Sequence, residues 1–506
     1  MLSFLDKLLN RITMYRLVLY VLIIWLSIAA GLGFFGELQF TGWQIIGTAL
    51  FFVVVCWFMN RVLAWAFRAP AHDDSAYITA LILSLIITPY RRELDLPLIV
   101  WAPILAMSAK YILTWRRQHF FNPAAAAVVL TGFILSKSAS WWIGTADMFW
   151  PVLIGGYLVI RKIRRLDAVS TYITVTVITS VVYGLSRDSE IITILRQLFL
   201  NSPLLFFSAI MLTEPATMPP THRWRVLYGG LIGLLSAPFI HIGTFYFSPE
   251  LALVTGNFAG WCITRRERFR ITLREKIRIA PTITELVFDG PRLPKFQAGQ
   301  YLEWNVAHHH PDARGTRRYF TIASSPTETG LRIGIKQYQP MSTYKQVLLQ
   351  LQPGETIVAE QIDGDFVLPK KIGQPLVFIA GGIGITPFRS MLKYLLDRKE
   401  IRPITLFYAN QIESDIVYTD IIKQAVQELG LQAVYVLSDK EKVPADWTGE
   451  RGYITAEMMQ KFVPEYSAAR FYLSGPQGMV TSYVKMLKSI GVKNSHIRTD
   501  YFPGFA

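Results

Sequence analysis

The sequence predicts a multi-pass helical membrane bundle fused to a small antiparallel β-barrel and a doubly wound α/β domain. Three observations carry that prediction. Residues 1–264 hold 19 Lys/Arg and 12 Asp/Glu, whereas residues 265–506 hold 32 and 24. Apolar residues make up 52% of the 506 positions and charged ones 17%, against about 25% charged in an average soluble domain. After residue 268 the long apolar runs give way to short alternating stretches, and then to buried strands interleaved with helical patterns. This composition excludes a disordered chain and a wholly soluble one.

A spanning helix needs about 20 mostly apolar residues. Candidate spans lie at 14–35, 45–67, 75–89, 96–114, 122–136, 148–160, 168–184, 194–212, 224–240 and 249–264. Several are short and end at Pro or Gly, as half-helices meeting inside a bundle do. Lys7, Arg11 and Arg16 precede a full-length first span with no small-residue cleavage site, so no cleaved leader is expected. With ten spans, the positive-inside rule places the N-terminus, Lys110, Arg116, Arg117, the 161–165 basic run and Arg265–Arg270 in the cytoplasm, together with the second half. The net charge of +15 is thereby assigned to cytoplasmic loops, and no basic-aromatic stripe supports nucleic-acid binding. Cys56 and Cys262 both lie in apolar segments, which excludes a disulfide scaffold and a Cys-ligated metal centre within one chain.

The first half contains an internal echo. "ALILSLIITP" ends at Pro89 and "FFSAIMLTEP" at Pro215; "FFNPAAAA", with Asn122 and Pro123, follows the first, and "TGNFAG", with Asn257, follows the second. Five spans separate the two units, so the second would be inverted, a 5+5 repeat with a midplane site. Asn122, Pro123, Thr213, Glu214, Pro215, Thr217 and Asn257 are the candidate lining of a membrane cavity. The plain alternative is that the asparagines cap helices and the prolines end spans. Haem would need histidine pairs on facing helices. His72, His119, His222 and His241 lie near span ends without such pairing, and haem is set aside.

"HFFNPAAAAVVL", "MLTEPATMPPT" and "PELALVTGNFAG" resemble the ten-span membrane protein family shared by Rnf complexes and sodium-pumping NADH:quinone reductases, over about residues 40–264. The resemblance implies flavin-based electron transfer within the membrane, toward a quinone or an extracytoplasmic FMN-binding protein. That family attaches FMN to the threonine of a Ser-Gly-Ala-Thr loop. The matching connection here, 137–147, reads "KSASWWIGTAD", so a second flavin would be non-covalent.

From Arg268, "RITLREKIRI", "TITELVFDG" and "GQYLEWNV" read as barrel strands. In "RRYFTIASSP", Arg318 suits a flavin pyrophosphate. Tyr319 beside it is a further candidate for binding the cofactor, Phe320 can stack on an isoalloxazine, and Thr321 offers a hydroxyl near flavin N5. Ser342 and Thr343 open a helix whose free amides suit phosphate, and "GDFVLP" closes the barrel. A buried strand then enters "GGIGITPFRSM". Gly381, Gly382 and Gly384 let backbone amides approach a pyrophosphate, and Thr386 and Pro387 begin the next helix. Further strands alternate with helices, as a parallel doubly wound sheet requires.

This motif order, continued by "YLSGPQGM" and an aromatic C-terminus, resembles the ferredoxin–NADP⁺ reductase family across residues 268–506. The resemblance implies FAD in the barrel, NAD(P)H in the second fold, and hydride exchange between nicotinamide C4 and flavin N5. Ser474 stands where many members have Cys and is expected, with Thr321, to be catalytic by positioning the nicotinamide, while Gly475 and Pro476 beside it are expected to bind the cofactor. Tyr501, Phe502 and Phe505 compete for the stacking position, which is assigned to Phe505. Lys440, Lys442 and Arg451 are candidate partners for a 2′-phosphate and tilt the reading toward NADPH. His308, His309 and His310 read as a solvated turn, and no metal is expected.

The expected domains are 1–264, 265–372 and 373–506. The expected function is a membrane-bound oxidoreductase passing electrons from cytoplasmic NAD(P)H through FAD and the membrane half to a quinone or extracytoplasmic flavoprotein. Redox-driven Na⁺ transport is the alternative, weakened by the scarcity of acidic residues inside the spans.

Overall fold

In the computed structural model the chain divides into two compact units, Met1–Arg265 and Arg266–Ala506. The structure describes Leu9 and residues 12–69, 71, 73–115, 118–242, 245–263, 267–308, 316–338, 341–439 and 441–500.

The first unit is built from helices α1 (Met14–Phe35), α2 (Gly42–Ala66), α3 (Asp73–Ile86), α4 (Leu96–Ile112), α5 (Pro123–Leu135), α6 (Phe149–Ile163), α7 (Leu166–Leu185), α8 (Ile191–Leu200), α9 (His222–Leu235) and α10 (Pro249–Ile263). Two small antiparallel ladders, β1–β2 (Thr114–Trp115, Gln118–His119) and β3–β4 (His241–Ile242, Phe245–Tyr246), sit between them. Helices α1, α2 and α5 start at side-chain caps, Thr13, Thr41 and Asn122. Thr41 and Gln44 form a reciprocal capping box at α2, each satisfying an orphan amide of the first turn. Helices α7 and α9 approach closely because Gly229 and Gly233 remove side chains from the seam. A Cβ at Gly229 would lie 2.3 Å from the Ala168 carbonyl oxygen, and one at Gly233 would lie 2.9 Å from that of Tyr172.

The ten-span, 5+5 expectation does not hold. Among the described residues, four helices are long and apolar enough to cross a membrane: Met14–Phe35, Gly42–Ala66, Glu93–Ile112 and Leu166–Leu185. A fifth is reached only if Ile191–Leu200 and Leu204–Met211, bent by 57°, count as one span. The other apolar runs are helical near where hydropathy puts them, but too short. Asp73–Ile86 has 14 residues, about 21 Å of helix against a hydrocarbon core of about 30 Å.

The physical reason is that a hydropathy window runs straight through a helix end. The amides of Ser140 and Trp141 donate to the Ile86 carbonyl at 2.9 Å, and the Ile143 amide donates to Leu85 at 3.3 Å. Trp142 Nε1 donates to the carbonyls of Ser84 and Ile87, both at 3.0 Å. Helix α3 therefore stops inside the fold, its last carbonyls satisfied by the 138–143 loop. The echo segment before Pro215 is built differently, as one turn at Leu204–Phe206 running into a π-helical turn at Phe207–Met211. The two halves of the echo are thus not one structural unit repeated.

The second unit contains two sheets. The first joins β5 (Arg268–Ala280), β6 (Ile283–Asp289), β7 (Tyr301–Asn305), β8 (Arg317–Thr321), β9 (Leu331–Lys336) and β10 (Thr356–Asp363) in the order β8-β7-β10-β5-β6-β9, all antiparallel. The expected closed barrel is a half-barrel, because the edge strands β8 and β9 form no ladder with each other. One backbone bond just past β8, Ala323 N–H to Arg332 O at 2.7 Å, draws the edges together. Helix α11 (Thr343–Gln350) covers the open end with the buried side chains of Tyr344 and Leu348.

The second sheet is wholly parallel, in the order β14-β13-β12-β11-β15-β16. Its strands are β11 (Leu376–Gly381), β12 (Ile404–Asn410), β13 (Gln432–Leu437), β14 (Glu450–Arg451), β15 (Arg470–Ser474) and β16 (Ile497–Asp500). Helices α12 (Thr386–Arg398), α13 (Thr419–Leu429), α14 (Ala456–Phe462) and α15 (Gln477–Ser489) connect them. Every residue of β11 is buried, as a central strand covered on both faces requires. The chain moves outward from β11 through β12, β13 and β14, then crosses back to β15. The topological switch point lies between β11 and β15, where open α/β sheets bind ligands.

Candidate functional site

At that switch point the two glycine-bearing turns press on each other. A Cβ at Gly384 would lie 2.4 Å from the Ser474 carbonyl oxygen and 2.7 Å from Gly475 Cα. A Cβ at Gly381 would lie 2.3 Å from Met479 Sδ, and Gly382 has φ +53. The turn after β11 therefore stays bare because β15 and the start of α15 occupy the space side chains would fill. Gly382–Ile385 forms a 3-10 turn that leads directly into α12 at Thr386 and Pro387, and Thr386 Oγ1 donates to Ile383 O at 3.2 Å. Pro476 is the N-cap of α15. Two helix N-termini thus flank one bare backbone turn, a donor set suited to a dinucleotide pyrophosphate.

On the half-barrel, strand pleating sorts the motif "RRYFT". Arg318 and Phe320 share one face: the Arg318 guanidinium carbon lies 4.9 Å from the Tyr344 ring centroid, and Phe320 stacks on the same ring at 6.1 Å. Tyr319 falls on the other pleat and meets Tyr301 edge-on at 5.5 Å. Ser342 caps α11, its Oγ accepting from Lys345 N at 3.3 Å. Arg318, Phe320, Ser342 and Thr343 are therefore gathered around the start of α11, and Tyr319 is not among them. A guanidinium beside a helix N-terminus fits the pyrophosphate of FAD. His308, read from the sequence as part of a solvated turn, bonds Thr343 Oγ1 at 3.3 Å.

Thr321 and Ser474 meet through a residue the sequence reading missed. Thr321 Oγ1 donates to Asp500 Oδ2 at 3.3 Å, and Asp500 on β16 is the register partner of Ser474 on β15. Burial pushes the Asp500 carboxyl up to about 7, with the Thr321 hydrogen bond opposing only in part. A buried carboxyl with its pKa raised toward neutrality thus sits where the half-barrel strand meets the parallel sheet. Its signal in the sequence was a carboxylate ending a strand immediately before the aromatic tail.

Around the Gly381–Gly384 turn, Lys336 Nζ and Asn410 Oδ1 lie 3.8 and 4.0 Å from where a Gly382 Cβ would stand. Lys442 is exposed and pairs with Asp439 at 3.3 Å. Arg451 donates to Pro444 O at 3.4 Å. Phe505, Tyr501, Phe502, Lys440, His309 and His310 lie outside the described residues, as do His72, Arg116, Arg117, Arg265 and Arg266.

In the helical unit, Asn257 Oδ1 accepts from the Asn122 amide at 2.9 Å, and Asn257 Nδ2 donates to the Tyr228 hydroxyl at 2.6 Å. Tyr228 also interacts with Thr217 and Glu214, and Glu214 meets Thr217 Oγ1 at 3.3 Å and His119 Nε2 at 3.4 Å. Asn122, Glu214, Thr217 and Asn257 are thereby linked in one polar chain, with Tyr228 as a member that sequence reasoning missed. The Asn122 side chain accepts from Ala125 N at 3.0 Å, so it caps α5, which begins at Pro123. Thr213 turns back onto Ala209 O at 2.6 Å, and Pro215 is half-buried beside it.

A family model described as the oxidoreductase NAD-binding domain matches residues 378–485. The phenol hydroxylase P5 protein of Acinetobacter pittii is 28% identical over 235 residues, 46% of this chain and 65% of that protein. The flavohemoprotein of Bacillus subtilis is 27% identical over 299 residues, 58% of this chain and 70% of that one. The plasma membrane-associated coenzyme Q6 reductase PGA3 of Saccharomyces cerevisiae is 31% identical over 193 residues, 37% of this chain and 60% of that one. The chain thus spans about two thirds of the length of these relatives. It carries an NAD(P)H- and FAD-binding oxidoreductase domain fused to an apolar helical region.

Proposed function

We propose that this chain is a membrane-embedded oxidoreductase that takes hydride from cytoplasmic NAD(P)H and delivers electrons, through its helical unit, to a quinone or an extracytoplasmic FMN-binding protein. The observation that carries the reading is the convergence at the reductase switch point. The bare Gly381–Gly384 turn faces Ser474–Gly475, and Thr321 reaches Asp500 beside Ser474.

In this reading Gly381, Gly382, Gly384, Thr386, Pro387, Gly475 and Pro476 hold the nucleotide. Arg318, Phe320, Ser342 and Thr343 hold FAD. Bound FAD would supply the change from two-electron to one-electron chemistry. Thr321 and Ser474 orient the reacting rings, and Asp500 holds or releases a proton at Oδ2. Resemblance of the helical unit to the membrane proteins of Rnf complexes and sodium-pumping reductases supports the onward route. A yeast relative described as a membrane-associated coenzyme Q6 reductase supports a quinone sink. A second, non-covalent flavin near Glu214 and Asn257 is the proposed carrier inside the helices. In this reading the reductase domain lies on the cytoplasmic side, where NAD(P)H is found.

The test uses the full chain in proteoliposomes. NAD(P)H should reduce the FAD, and a quinone should reoxidise it. Asn122→Ala and Glu214→Gln should leave FAD reduction intact in stopped-flow absorbance and slow reoxidation. Wild-type reoxidation in both variants would remove that polar chain from the electron path. Failure of NAD(P)H to reduce the wild-type flavin would sink the reading as a whole.

A further inference from the structure

A charged clasp inside the reductase unit ties the nucleotide turn to the flavin strand. Arg389 lies on α12, one turn beyond the Gly381–Thr386 bend, and is 6% exposed. Its Nη2 donates to Glu328 Oε1 at 2.8 Å, its Nη1 to Glu328 Oε2, and Nη1 also to the Ala323 carbonyl at 3.0 Å. The neighbouring Ser390 Oγ donates to Ser324 O at 2.6 Å. Glu328 is fixed in turn by the Ser325 amide at 2.6 Å. Residues 323–328 are the direct continuation of β8, two positions past Thr321. Helix α12 is therefore pinned to the chain that carries the proposed flavin contacts.

The fit beside the clasp leaves no slack. Gly334 on β9 faces Ile383, Thr386 and Tyr418, and a Cβ there would lie 2.8 to 3.0 Å from all three. Tyr418 holds a left-handed backbone at φ 60, a strained conformation for an aromatic residue that persists only where its surroundings impose it. Burial alone would raise the Glu328 carboxyl, but the Arg389 hydrogen bond and charge outweigh it and hold the group below its ordinary range.

Stability alone does not call for such a pair, since well-packed apolar residues often serve as well or better. What a bidentate guanidinium–carboxylate pair adds is a fixed angle together with a fixed distance. Hydride transfer is sensitive to both, because reacting atoms must come within about 3 to 3.5 Å and a displacement of about 1 Å can cost about a hundredfold in rate. We infer that Arg389 and Glu328 are positioning residues for hydride transfer, setting the approach of the nucleotide turn to the flavin strand through α12 and segment 323–328. This rests on the proposed assignment of that turn to NAD(P)H and that strand to FAD.

The experiment uses the full-length protein with two variants. Arg389→Lys keeps the charge but loses the fork. The double variant Arg389→Met with Glu328→Leu removes both charges together, so neither is left buried without its partner, although the Ala323 carbonyl and the Ser325 amide lose the bonds they make to the pair. FAD content, NAD(P)H dissociation constant and the rate constant of flavin reduction are measured, the last with unlabelled and 4-deuterated nucleotide. Both variants should keep FAD and nucleotide affinity. The double variant should reduce flavin about a hundredfold more slowly, with a raised isotope effect and Arg389→Lys falling between. Reduction at the wild-type rate in a double variant that holds FAD would overturn the inference. A rate loss fully accounted for by lost FAD or weakened nucleotide binding would overturn it too, since only structure would then be at stake. A wild-type protein that NAD(P)H does not reduce would instead overturn the functional assignment beneath it.

Discussion

Both units use glycine to bring chain segments together, but the consequences differ. In the helical unit Gly229 and Gly233, one helical turn apart, let α9 lie against the backbone of α7. In the reductase unit Gly381, Gly384 and Gly475 let two turns meet where strands end. The first arrangement packs two rods and leaves their polar groups inside the helices. The second strips side chains from backbone amides at helix starts and so leaves a donor surface suited to phosphate. Close approach becomes chemistry only where the backbone hydrogen bonds of regular structure have ended.

That contrast can be broken by filling each gap in turn. Gly384→Val drives a side chain into the Ser474 carbonyl, so the Gly381–Gly384 turn must shift. The protein should keep its yellow FAD and lose at least about a hundredfold in flavin reduction, read by stopped-flow absorbance at saturating NAD(P)H. Gly229→Val should instead cost about 1 to 3 kcal/mol of stability by overpacking. It would be seen as a lower unfolding temperature in detergent, with FAD reduction unchanged. Equal effects of the two variants on flavin reduction would erase the distinction.

Next in size is the pH dependence contributed by Asp500. Its folded value of about 7 lies above the ordinary carboxylate value of about 3.9. Between those two pH values the folded state therefore holds a proton that the unfolded chain has released. The stabilisation is fully present below about pH 3.9 and is lost as pH rises through about 7, with a limiting slope of about 1.4 kcal/mol per pH unit. Asp500→Asn should flatten that part of the curve when unfolding is followed between pH 4 and pH 8. An unchanged pH profile would mean that Asp500 is ionised in the fold and holds no proton near neutrality.

A smaller effect is expected at Arg318. Arg318→Ala removes a charged donor worth about 1.5 to 3 kcal/mol to a phosphate. FAD should then be lost on gel filtration and recovered when FAD is added in excess. Full retention of flavin by the variant would move the pyrophosphate away from α11.

Legibility in the sequence followed the same division. The reductase motifs could be read because each is a local event: a buried run, a bare turn and a helix start within about a dozen residues. The placement of Gly381 at the end of β11 follows from that order alone. Asp500 escaped because its meaning depends on pairing with Ser474 across β15 and β16 and on Thr321 from a different sheet. Tyr319 was grouped with Arg318 and Phe320 by adjacency, although a pleat sends it to the opposite face. In the helical unit, hydropathy located the helices but not their ends. Nothing in the run at 75–89 states that Ile86 hands its carbonyl to Ser140 and Trp141. The span count failed at points of that kind, where satisfaction of the backbone comes from a distant loop.

The smallest expected effect tests whether the polar chain of the helical unit is structural or functional. Asn257 is fully buried and joins the Asn122 amide to the Tyr228 hydroxyl. Asn257→Leu keeps the approximate volume and removes both bonds. Hydrogen bonds between helices in membranes contribute only about 0.6 to 1.7 kcal/mol each, because the unfolded chain finds other partners there. The variant should therefore fold, with a modest fall in unfolding temperature in detergent. FAD reduction by NAD(P)H should be unchanged, since both bonds lie wholly in the helical unit. If the chain only ties α5, α9 and α10 together, reoxidation by quinone should also be unchanged, and the same should hold for Tyr228→Phe. If it lies on the electron path, reoxidation should slow in both variants by more than their stability loss can explain. A slowing that tracks unfolding temperature alone, across Asn257→Leu, Tyr228→Phe and Asn122→Ala, would assign the chain to packing, and the helical unit's electron route would have to be sought elsewhere.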